Sequence, residues 1–216
     1  MPLLFYFLLG KLFALIAGGY YFKYLSPPYR LVVYVIAVAA FCESYGYYIV
    51  KHLHEYNSWV FNYYIMAEVW MMGLAAVYLV TNYKLKRMFY LLMVAASAIW
   101  IINILNYSIY VLANFSMVVC QLFMTVMYFA VLFTNGIFVN KKILNQPIFW
   151  LAFSTILYCT CGMPYWLLHN YLMVKQPGLG HKLIFINTVL DVIRYPLVAI
   201  SFILLGRQKQ VVLNAA

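Results

Sequence analysis

Polar and apolar positions along this 216-residue chain fall into blocks. Seven apolar blocks lie at approximately 3–25, 31–50, 59–80, 88–107, 111–133, 147–170 and 183–205. Each is about twenty residues, enough for a helix to cross roughly 30 Å of hydrocarbon. The breaks between them carry helix-ending chemistry: SPPYR at 26–30, NYKLKR at 82–87 and NKKILNQP at 140–147. KQPGLGHK at 175–182 is predicted to be the longest flexible turn. The pattern predicts an all-α polytopic bundle of seven transmembrane helices, a single domain over 1–216 with its termini on opposite sides. The first block has no basic start and no A-x-A-like cleavage site, so it reads as a retained helix.

Composition strengthens this picture. Apolar residues make up 68% of the chain and charged residues 8%, whereas a soluble domain carries about 25% charge. The expected surroundings are membrane lipids. A net charge of +10 would suit nucleic acid, but the basic residues sit in ones, twos and threes between apolar blocks, as membrane anchors do. Nucleic acid is therefore not an expected partner. Lys23, Arg30, Lys84, Lys86, Arg87, Lys141, Lys142, Arg207 and Lys209 fall on one side of the predicted bundle, against Lys51, Lys175 and Lys182 on the other. This asymmetry predicts an outside N-terminus and a cytoplasmic C-terminus. The 22 tyrosines and five tryptophans crowd near block ends as interfacial anchors, with Tyr45, Tyr64 and Tyr195 lying deeper. Cys42, Cys120, Cys159 and Cys161 all lie in apolar blocks and read as small apolar groups.

The charges inside the blocks change the picture most. At about 1.5 Å per residue, Lys11, Glu43, Glu68 and Asp191 all come out roughly 12–13 Å from the outer ends of their helices. Arg194 lies one turn further inward, and Gln121, Thr160 and Asn103 fall near the same level. A charge at such depth costs about 2.5–3.5 kcal/mol on insertion scales, so scattered charges are disfavoured and facing ones can pair. An internal polar cluster is predicted, with Glu43, Glu68 and Asp191 opposite Lys11 and Arg194 and with Tyr45, Tyr64, Gln121 and Thr160 shaping a pocket. Three carboxylates against two cations leave one negative charge for a proton or a cationic ligand to neutralise, while Lys11 and Arg194 would supply counter-charge or hold an anionic group of a substrate. The alternative is a permanent ion-pair network that only fixes packing.

Two prolines fall near this layer. Pro196 leaves the carbonyl of Val192 without a helical donor, and Pro164 does the same to Thr160, so interrupted helices beside the charges are expected. A faint internal repeat sets Gly46 against Gly162, Ser44 against Thr160 and Glu68 against Asp191. It would make helix 4 a linker between two parallel three-helix units.

YYIMAEVW at 63–70, QPIFWLAFSTILYCTCG at 146–162 and FINTVLDVIRYPLVAISFIL at 185–204 resemble small seven-helix membrane proteins of Bacteroidetes-type bacteria. That resemblance implies a bacterial inner membrane, and it implies no particular activity. Some such proteins are encoded near sensor kinases, which implies a receptor-like role through a signalling partner. The 3+1+3 arrangement is similar to SWEET-type sugar transporters, KDEL receptors and nicotinamide riboside transporters. Unlike microbial rhodopsins, helix 7 has no core lysine for retinal. ESYGYYIVKH resembles the serine–histidine helix of ceramidase-like hydrolases, but helix 7 has no H-x-x-x-H. His52, His54, His169 and His181 all map to the outer side and are weak candidates for a metal site. The residues identify no cofactor. The expected function is binding of a small solute, proton or cation in the outer half of the bundle, as a transporter or facilitator. A receptor-like subunit and an intramembrane, metal-dependent lipid hydrolase are the alternatives.

Overall fold

A computed structural model describes residues 2–137 and 142–214, apart from the side chains of residues 2–7, Asn170, Pro177, His181, Leu213 and Asn214. Lys141 thus lies outside the described residues, as does the His181 side chain. Seven long helices follow one another: α1 (Pro2–Tyr20), α2 (Pro27–Tyr48), α3 (Ser58–Leu79), α4 (Tyr83–Tyr107), α5 (Asn114–Thr134), α6 (Pro147–Lys175) and α7 (Pro177–Asn214). Among the described residues there is no strand. Helices α2 to α7 are long and apolar enough to cross a membrane, which suggests an integral membrane protein. The described apolar stretch of α1, Leu8–Tyr20, is shorter.

The helix starts have local causes. Ser26 is extended, and its carbonyl accepts from the Tyr29 and Arg30 amides as Pro27 and Pro28 open α2. Asn82 caps α4 by accepting the Lys84 amide at 2.9 Å. Helix α2 ends in a π-helical turn, Ile49–Leu53, and His54 then reverses the chain in the left-handed region at φ 55°. The stretch 175–182 is not the flexible turn its proline and glycines predict. Gln176 alone separates α6 from α7, its carbonyl accepting from Leu179 and Gly180 as the new helix begins. Proline suits that start because the first helical turn does not need its amide.

The packing order is a ring. Helices α1, α2 and α3 pack in sequence, α3 meets α5, and α5, α6 and α7 continue until α7 closes on α1. Helix α4 packs outside the ring on α3 and α5. The ring has two ends. One is formed by the α2–α3, α4–α5 and α6–α7 connections, the other by the α1–α2, α3–α4 and α5–α6 connections.

Toward the second end the ring is solid. A Cβ on Gly18 would press into Val33 and Phe202, one on Gly73 into Met93, and one on Gly206 into the Tyr21 ring. Ala14, Ala75, Ala76 and Ala199 are wholly buried there. Small residues let helix axes approach, and large neighbours fill the remaining space. At the first end, Asn62 is wholly buried and holds the α4–α5 connection. Its Nδ2 donates to the carbonyls of Ile109 and Val111, at 2.7 and 2.9 Å, and its Oδ1 accepts from the Ala113 amide at 3.0 Å.

Candidate functional site

The closing contact of the ring is ionic. Lys11 on α1 is wholly buried. Its Nζ donates to Glu43 Oε1 on α2 at 2.7 Å and to Asp191 Oδ2 on α7 at 2.9 Å. One turn further along α7, Arg194 Nη2 lies 2.7 Å from Glu68 Oε1 on α3. Its angles fall short of a hydrogen bond, so this is a close ion pair. The Tyr195 ring serves both cations, 4.4 Å from Lys11 Nζ and 5.9 Å from Arg194 Cζ, and Tyr158 faces the guanidinium at 4.5 Å. Ring faces carry negative potential, so they help replace the water these cations have lost.

Directly against this layer lies a cavity of about 520 Å³. It runs from the charges toward the end formed by the α2–α3, α4–α5 and α6–α7 connections, and its wall includes Asn57, Leu112 and His169. Its size is that of a small-molecule pocket, and such pockets combine apolar walls with a few polar anchors. Glu43, Glu68, Asp191 and Arg194 form the polar floor, while Phe61, Met124 and Trp166 contribute apolar wall.

Besides Glu68 Oε1, which is ion-paired with Arg194, three polar oxygens of lining residues have no hydrogen-bond partner among the described residues: Glu43 Oε2, Gln121 Oε1 and Asn187 Oδ1. Gln121 is only 6% exposed. A buried polar atom left unpaired costs about 1–3 kcal/mol, so an arrangement of three on one cavity calls for a partner. Gly162 makes room for two of them, since a Cβ there would sit 3.2 Å from Asn187 Oδ1 and 3.6 Å from Gln121 Oε1.

The residues singled out in the sequence divide by face. Glu43, Glu68, Asp191, Arg194, Tyr64 and Gln121 line the cavity. Lys11 does not line it and sits behind Glu43 and Asp191. Tyr45 and Thr160 are corrections. Tyr45 is 37% exposed and lies between Phe41 and Trp59, and Tyr47, four residues after Glu43, occupies the wall instead. Thr160 is exposed, with its hydroxyl donating to the Ile156 carbonyl at 2.7 Å, while Tyr158 faces inward. Residues two apart on a helix point about 200° away from each other, which separates Tyr45 from Tyr47 and Thr160 from Tyr158. Asn103 belongs to α4, which contributes nothing to the wall.

Asn187, Tyr158 and Tyr165 line the cavity without having been marked in the sequence, and His169, marked there only for metal, lines it beside Tyr165. Asn187 precedes Asp191 by one helical turn, a spacing that places both on one face. The aromatic residues carried no such signal among 22 tyrosines.

The expected helix interruptions are absent, since α6 runs through Pro164 and α7 through Pro196. The freed Val192 carbonyl is covered by α1, because a Cβ on Gly10 would lie 3.4 Å from that oxygen. His52 and His54 are exposed beyond α2, and His169 bonds through Nδ1 to the Tyr165 hydroxyl at 2.7 Å. Among the described residues, no three His, Cys, Asp or Glu side chains are grouped to hold a metal ion.

This arrangement can bind a compact solute against a charged floor, and it can relay a proton among three neighbouring carboxyl groups. No protein-family model, curated protein or solved structure matches the chain.

Proposed function

We propose that the chain is a seven-span protein of a bacterial cytoplasmic membrane that binds a small solute, a proton or a cation in this cavity and moves it across the bilayer as a transporter or facilitator. The observation that carries the reading is the meeting of five ionisable groups from four helices on one side of a 520 Å³ cavity. A network serving only to fix packing gains nothing from adjoining space of that size.

The orientation rests on the lysine and arginine asymmetry, which puts the solid end of the ring in the cytoplasm and the cavity end outside. Helix α1 supplies the seventh span. The position of α4 outside the ring supports a 3+1+3 organisation, with α1–α3 and α5–α7 as parallel units meeting at the cavity. Glu68 and Asp191 then occupy corresponding places on the third helix of each unit.

A receptor-like role has one observation in its favour. Helix α7 is continuous over 38 residues, from beside the cavity to the far end of the ring. A solute held by Asp191 would reach a signalling partner through that rod.

Reconstitution into liposomes with an internal pH dye separates the two. Wild-type protein is expected to carry protons or solute down a gradient, and Glu68→Gln or Asp191→Asn is expected to abolish flux while the protein still purifies as a folded species. Absence of flux with stable co-purification of a kinase would favour the receptor. Equal flux in wild type and both variants would remove the charged floor from the mechanism.

A further inference from the structure

We infer that the solute taken by this cavity is a small organic monocation, an ammonium group on an apolar, ring-sized body. The inference rests on the solute-binding reading above and narrows it to a chemical class.

Charge sets the sign. Glu43, Glu68 and Asp191 stand against Lys11 and Arg194, so with all five groups ionised the layer carries one negative charge in excess. Both protein cations are engaged. Lys11 is clamped between two carboxylates behind the wall, and Arg194 is held by Glu68 with Tyr158 over its face. An anionic solute would have to break one of these pairs, whereas a cation completes the balance without breaking any.

Hydrogen bonding points the same way. Glu43 spends Oε1 on Lys11 and keeps Oε2 without a partner, and an ionised carboxylate oxygen can only accept. Gln121 is more than nine-tenths buried on the same wall, with its own amide oxygen unpartnered, and Asn187 adds a third acceptor. An ammonium group carries up to three donors in a small volume and so suits a site of converging acceptors.

Size and wall chemistry supply the body. A bare metal ion would leave most of 520 Å³ unfilled, and Oε1 of Glu43 and Oδ2 of Asp191 are already taken by Lys11. A proton would leave the cavity without a purpose. Phe61, Tyr64, Tyr158 and Trp166 line the remainder, and aromatic faces attract organic cations as well as apolar groups.

The test uses the full chain in lipid nanodiscs, titrated by calorimetry near neutral pH with three probes of similar shape. These are phenethylammonium, 2-phenylethanol and 3-phenylpropionate. Phenethylammonium is expected to bind at least about tenfold more tightly than the other two. Glu43→Gln is expected to erase that preference. Gln121→Leu keeps the charge and the volume, and it is expected to weaken the ammonium probe about fivefold or more without lowering the thermal midpoint.

Propionate or alcohol binding as tightly as the ammonium would overturn the inference, as would an ammonium preference untouched by both variants. In the first case a cavity that still responds to Gln121→Leu keeps the solute-binding reading and loses only the substrate class. Failure of all three probes, with proton flux retained in liposomes, would likewise discard the organic cation and leave proton movement standing. Failure of binding and flux together would discard both.

Discussion

The two ends of this ring solve the same packing problem in opposite ways. Toward the α1–α2 and α3–α4 connections, glycine and alanine bring helices close, and Val33, Met93 and Phe202 pack against the glycines. Toward the α2–α3 and α6–α7 connections, the helices stay apart around a cavity, and ion pairs at its floor join α1, α2, α3 and α7. Ion pairs tolerate an adjoining void because their attraction falls slowly with distance, whereas a gap of about 1 Å forfeits up to roughly half of a dispersion contact. The contrast teaches that the charged layer is where the protein keeps its rings of helices joined without filling the middle. One end is a seal and the other is a chamber.

The largest way to break this contrast is Lys11→Met. It leaves Glu43 and Asp191 facing each other without their shared donor, and losing one partner of a buried pair costs about 3–5 kcal/mol. A steep fall in the thermal midpoint of the detergent-solubilised protein is expected, with substantial recovery when Glu43→Gln and Asp191→Asn are added. A variant as stable as wild type would mean that the ionic clamp does not hold α1 in the ring.

A smaller effect is expected at the seal. Gly73→Leu would drive a side chain into Met93 and cost about 1–3 kcal/mol by overpacking. The folded fraction should bind solute with unchanged affinity, measured by the same titration used for the chamber. Loss of affinity there would show that the two ends are mechanically joined.

The smallest is Thr160→Val. Its exposed hydroxyl only returns to its own helix, so stability should stay within about 0.5 kcal/mol and solute binding should not move. A large loss of binding would bring this residue back to the wall.

Much of the architecture was legible because membrane-length apolar blocks announce themselves. The charged layer was legible for a related reason. A lysine and three acids inside apolar blocks are costly anywhere except together, and a rise of about 1.5 Å per residue is enough to compare their depths. Rotation was not legible. A helix that faces apolar surroundings on one side and an apolar core on the other shows no polar stripe, so Tyr45 and Tyr47, or Tyr158 and Thr160, look alike in the chain while facing opposite ways.

Nor did the pattern reveal that Lys11 would stand between Glu43 and Asp191, leaving Arg194 to Glu68. That assignment depends on the ring order, which puts α1 against both α2 and α7. The turn predicted at 175–182 failed because proline in a first turn starts a helix as readily as it ends one.

Lys11 also dictates an order of biogenesis. Its two acceptors lie 32 and 180 residues further along the chain, so α1 leaves the ribosome long before Asp191 exists. Glu43 arrives with the next helix and can neutralise the lysine early, as a hairpin partner. Asp191 arrives with the last, and its arrival turns an open arc of helices into a closed one. In the finished protein one lysine therefore joins the second helix to the last, and the contact that closes the ring needs the whole chain.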